Sequence, residues 1–267
     1  PKPLGQSGPT VARKTKPTPR LRQSSLMSAA PSTETAIAID ANRALLNRYR
    51  FVEHEGMRIL AGWLPKAATF ELKCEMGRTI WESALHVNAL YLRLREIQSP
   101  AFQKPSDAAL VALMSEILHA PDEFALALAY YRVVVPSLIE ALENHETATF
   151  PNSDLPSVHA IRHTLLDLRS QMERVQPLMA QAEKAGRITA GARAWEDYTR
   201  PLLAAAGGVS GLTARANRRP AAPSCRAEFR APREAARAAR LIPRRAAIAP
   251  MPPEEEYDQH TIEELER

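Results

Sequence analysis

Between Thr69 and Ile97 the chain runs without a proline and with a single glycine, and strong helix formers fill most positions. The stretch reads as one long helix. Met76, Ile80, Ala84, Val87, Tyr91 and Leu94 recur at steps of three and four, which predicts one apolar face for burial. Glu75, Glu82, His86 and Arg93 fall beside that face. Glu82 and His86 are four apart and stand one above the other. A carboxylate and an imidazole so placed either share a metal or bond each other.

The flanking chain supplies partners for this helix. A first helix is expected from about Ile37 to Leu64, starting near Thr35 or Asp40, with Leu45, Tyr49, Val52, Ile59, Leu60 and Trp63 as its apolar side. Pro65 ends it, because a proline pushes the preceding residue out of helical geometry. The short link to Thr69 makes the two helices antiparallel neighbours. A shorter helix spans Ala108 to Leu118. A third long helix runs from Asp122 to Glu146, with Asp122 as cap and Pro136 as an internal kink. A fourth begins near Pro156, and Val158, Ile161, Leu165, Leu168, Met172, Val175 and Met179 form its packing seam. Ala192 to Ala206 makes a fifth helix around Trp195, Tyr198 and Leu202. No stretch alternates apolar and polar residues over the length of a buried strand. The expected architecture is all-α: an antiparallel four-helix bundle over 37–206, with the 98–121 segment crossing between two helix pairs. Extended tails are expected over 1–36 and 207–267.

Charge is unevenly placed along the 267 residues. The chain starts at Pro1, so it reads as processed, trimmed or partial. The first thirty-three residues are basic and free of Asp and Glu, arginine dominates from Thr213 to Arg245, and acid dominates from Glu254. Such blocks belong to solvated or partner-bound segments rather than to a core. The opening composition resembles an organelle-targeting segment, with a disordered bacterial N-terminus as the alternative. Two cysteines, Cys74 and Cys225, define neither a metal spacing nor a disulfide framework. No run of about eighteen apolar residues suggests a membrane span. A nucleophile elbow and a phosphate-binding loop are both absent, and Ala206 to Gly211 reads as a flexible linker.

Two helix pairs joined by a crossover resemble the ferritin-like superfamily. Trp81-Glu82-x-x-x-His86, followed by Leu90-x-x-Arg93-Leu94-x-Glu96, is similar to an uncharacterised branch of it. The likeness covers roughly 45–180. It implies the bundle fold and directs attention to a di-iron site. Active members carry a Glu on each of two helices and Glu-x-x-His on each of the other two. That spacing does not occur here: Ser83, Pro156 and Ala160 stand three residues before His86, His159 and His163. Leu85 occupies a place where the resembled branch often has an acid. A metal set of Glu53, Glu82, His86, Glu140 and His163 is geometrically conceivable, with His159, His163 and Asp167 stepping by four along the fourth helix. The alternative is a vestigial site in which Glu82 and His86 bond each other.

Three functions follow as expectations. The first is a non-catalytic structural or accessory subunit without a cofactor, its tails binding other protein subunits of a large assembly, plausibly a mitochondrial complex of respiratory type. A chloroplast or bacterial cytoplasmic setting is the alternative. The second is a di-metal, iron-dependent oxidoreductase. The third is a nucleic-acid-associated protein acting through Arg215, Arg226, Arg230, Arg233, Arg237 and their neighbours; Phe229 is the lone aromatic among them, where stacking platforms need several. Arg233, Arg237 and Arg240 are spaced for a short basic helix.

Overall fold

The computed structural model describes residues 37–99, 107–216 and 220–237, and these are all-helical, with no strand among them. The elements are α1 (Ile39–Trp63), α2 (Phe70–Glu96), α3 (Ala108–Ile117), α4 (Glu123–Ala148), α5 (Pro151–Lys184) and α6 (Ala190–Ala205). Cross-helix bonds define how the four long helices run. Arg43 at the start of α1 donates to the Ile97 carbonyl at the end of α2, at 2.9 Å from Nε. Tyr49 donates to the Ala141 carbonyl at 3.1 Å, whereas Gly56, two turns on, meets Tyr130. Arg162 and Arg169 of α5 pair with Glu146 and Glu143 of α4. Arg93 near the end of α2 reaches Ser157 near the start of α5. Each long helix is therefore antiparallel to both neighbours, in the order α1, α2, α5, α4 around the bundle. The link from α2 to α4 runs the length of the bundle, because α2 ends beside Arg43 whereas α4 starts beside Thr69, and α3 lies in that link.

Capping follows local chemistry. The Asp107 carboxylate accepts from the Ala109 and Leu110 amides and starts α3. Asp122 accepts from Ala125 and starts α4. The next residue, Glu123, instead accepts from the Ala68 amide at 2.6 Å and the Thr69 hydroxyl at 2.6 Å, so α4 caps α2. The expected α5 seam is buried from Val158 through Met179, apart from a half-buried Met172. Trp195, Tyr198 and Leu202 of α6 are likewise buried.

Pro136 of α4 follows π-helical turns over Leu128–Val134, and the Val135 amide reaches back five residues to Tyr130. The wider turn keeps the proline ring clear of the carbonyl one turn back. The Gly-rich segment is no loose linker. Gly207, Gly208 and Gly211 take positive φ, and Arg48 clamps the Val209 carbonyl at 2.7 Å while pairing with Asp107 at 2.8 Å. Residues 220–237 form no basic helix; Arg240 lies outside the described residues. They lie as a strap on their own bundle, with Phe229 against Trp63 and Ala227 bonded to the His119 carbonyl. Finally, α4 is a 26-residue helix long and apolar enough to cross a membrane by composition, but it is mostly buried among the other helices.

Gly56 allows the close approach of α1 to α4: a Cβ there would lie 2.5 Å from the Tyr130 hydroxyl and 2.7 Å from its ring. Gly56→Ala is expected to destabilise the fold by roughly 1–3 kcal/mol through overpacking. A urea midpoint lowered without a change in slope would register this; an unchanged midpoint would show that the ring yields freely.

Candidate functional site

The interior face of α2 is not the apolar stripe its sequence suggests. Ala84 is exposed, and Ile80, Val87 and Tyr91 are half-buried. The buried row is Leu72, Glu75, Met76, Thr79, Glu82, Ser83, His86, Leu90 and Leu94. Trp81, Leu85 and Leu92 face outward. A polar row can be buried only if every group finds a partner, since an isolated charge in a low-dielectric interior is very costly. The partners stand on α5, where Thr164, Asp167, Gln171 and Arg174 recur at steps of three and four beside the apolar seam.

Two ion-paired centres result. In the first, Arg174 donates from Nε to Glu75 Oε1 at 2.8 Å and from Nη2 to both Glu82 oxygens at 2.8 and 3.0 Å. Arg78 adds a 2.9 Å bond to Glu82. Burial works to lower the Arg174 pKa, but the two carboxylates prevail and raise it, so the guanidinium is permanently charged. One turn further, Gln171 donates to the Thr79 hydroxyl at 3.0 Å, and Thr79 meets the Tyr131 hydroxyl at 3.0 Å.

The second centre is His86, with Nδ1 3.2 Å from Glu53 on α1 and Nε2 3.1 Å from Asp167 on α5. Burial pulls its pKa down. The Glu53 charge and hydrogen bond, with smaller help from Asp167, outweigh that and raise it to about 9. His86 is thus a buried imidazolium at neutral pH, donating from both nitrogens. The second Glu53 oxygen has no hydrogen-bond partner among the described residues. Nearby Tyr130 is held neutral by burial and by the Glu53 charge.

Of the expected ligand set, Glu53 and His86 come together. Glu82 lies on the same row but is bonded to arginines, not to His86, so the private Glu82–His86 bond is not formed. Glu140 is exposed on α4, away from this row. His163 is exposed and touches the site only through Asp167, at 3.7 Å. No group of three or more His, Cys, Asp or Glu side chains among the described residues is placed to share an ion. Arg174, Gln171 and Thr79 went unread in the sequence; two polar rows of matching step on α2 and α5 were the available signal. No described protein family, curated protein or solved structure matches the chain.

A second buried histidine has the opposite electrostatics. Neither ring nitrogen of His145 has a hydrogen-bond partner among the described residues, and burial, only partly opposed by Asp154, lowers its pKa to about 4.

Two tests follow. Arg174→Ala strands Glu75 and Glu82 and is expected to cost about 3–5 kcal/mol in denaturant unfolding. Converting the cluster to Arg174→Met with Glu75→Gln and Glu82→Gln should recover most of the loss; no recovery would mean that the guanidinium acts by packing alone. The pH dependence has two limbs. His86, raised to about 9 from 6.5, contributes stability that is complete below pH 6.5 and disappears as pH rises through 9. His145, depressed to about 4, contributes stability that is complete above pH 6.5 and disappears as pH falls through 4. Unfolding midpoints should therefore peak near pH 6.5, and His145→Leu should flatten the acid limb.

Proposed function

We propose that the chain is a non-catalytic accessory subunit, a ferritin-like bundle whose metal site has been replaced by an internal salt-bridge cluster. The observation that carries this reading is Arg174. Its guanidinium sits between Glu75 and Glu82 and supplies the positive charge an ion would otherwise bring. His86 offers no free lone pair while both nitrogens donate to carboxylates. One long crossover between two antiparallel pairs is the connectivity of ferritin-like bundles, which supports the resemblance carried by Trp81, Glu82 and His86.

On this reading the bundle is a scaffold, and the segments 1–36 and 238–267 make the contacts with other protein subunits. The basic, acid-free opening supports a mitochondrial assembly, as mitochondrial targeting segments share that composition. Residues 220–237 are engaged elsewhere. Arg226 pairs with Glu116, Arg215 with Asp107 and Arg230 with Glu228, so these arginines spend their charge within the chain. That weighs against the nucleic-acid reading, which needs guanidinium groups free for phosphate.

The di-iron alternative and the scaffold reading separate in one measurement. Protein grown with added iron and dialysed against chelator is expected to retain less than roughly a tenth of an equivalent of metal. Stoichiometric iron or manganese that is lost in His86→Ala would overturn the scaffold reading. So would native protein sedimenting as a lone monomer when isolated from its source.

A further inference from the structure

A groove of about 430 Å³ opens on the outer side of the α2–α5 seam. Leu85, Ala89 and Leu92 form one wall, and His159 and His163 stand on the other. Both histidines are exposed and lie on one helix four residues apart. That spacing stacks two imidazoles on the same face, at the separation with which two helical histidines grip one zinc ion. Asp167, a further turn along, places Oδ2 3.7 Å from His163 Nδ1. That distance is too long for a hydrogen bond, so Asp167 acts on His163 through its charge alone.

We propose that His159 and His163 form a surface chelate for a first-row divalent transition ion of the zinc or copper type. Imidazole nitrogen suits these ions, and Zn–N bonds of ~2.0–2.1 Å bridge neighbouring turns without moving the backbone. Two protein ligands leave the remaining positions open to water. The interior row borders this groove: His86 also lines it, and Asp167 Oδ2 lies 3.1 Å from His86 Nε2. The ion exchanges with solvent and is stripped by chelator, which distinguishes it from iron trapped in the bundle.

Calorimetric titration of the full chain with zinc chloride at neutral pH tests the assignment. One saturable equivalent is expected in the wild type. His159→Ala and His163→Ala should each weaken binding roughly tenfold or more, since either leaves a single imidazole. His54→Ala, on α1 and outside the groove lining, should bind as the wild type does. Both positions are exposed, so neither variant threatens the fold, and unchanged circular dichroism verifies this. Absence of zinc binding in the wild type overturns the proposal. Wild-type affinity in either His159→Ala or His163→Ala overturns it as well.

Discussion

The guanidinium of Arg174 enters the bundle from α5 and is met by two carboxylates of α2. Much else in the fold is arranged to permit this. Taking charges from water costs several kcal/mol per ion, and only close, multiply bonded geometry repays it. Arg174 satisfies that condition with three bonds to Glu75 and Glu82. The neighbouring His86 satisfies it by donating to carboxylates on two different helices. Register follows from these contacts: sliding α5 along α2 by one turn would leave Glu75, Glu82 and Asp167 facing the wrong groups. An all-apolar seam would tolerate that slip more easily.

The acidic and basic groups of this interior are paired with one another. Glu53, Glu75, Glu82 and Asp167 are opposed by Arg174, Arg78 and the imidazolium of His86. Ligand-type side chains are abundant, yet nearly all their lone pairs and protons are committed to one another. Two exceptions in the row, among the described residues, are Gln171 Oε1 and the second Glu53 oxygen. The latter sits beside Tyr130, where the π-helical turns of α4 bring two tyrosines into the core in an edge-to-face pair 5.1 Å apart.

The far end of the chain illustrates a related point. Composition alone made residues 207–216 and 220–237 look like an arm without a home. Their arginines and prolines instead fit a path across α1, α3 and α6. Arg48 holds the glycine turn, and Lys66 lies between Trp63 and Phe229 at 4.1 and 5.1 Å from the ring centres. An extended strap makes few contacts of regular period, so no sequence pattern announces it. The carbonyl of Pro65 and the ring of His119, which anchor it, are distant in sequence.

The sequence by itself determined which segments of the bundle are helical and where most of them stop. These depend on neighbours within a turn: Asp122 as a cap, Pro65 as terminator, and the apolar seam from Val158 to Met179. The ligand types were also legible, since Glu53, Glu82 and His86 stand at helical spacing on adjoining helices. Only the tertiary structure decided which side of α2 is the interior. Along one helix, Glu75, Thr79, Glu82 and His86 look like a solvated face, because a charge is expected to seek water. What makes them core is a cation 92 residues after Glu82, and that pairing exists only once the two helices lie side by side.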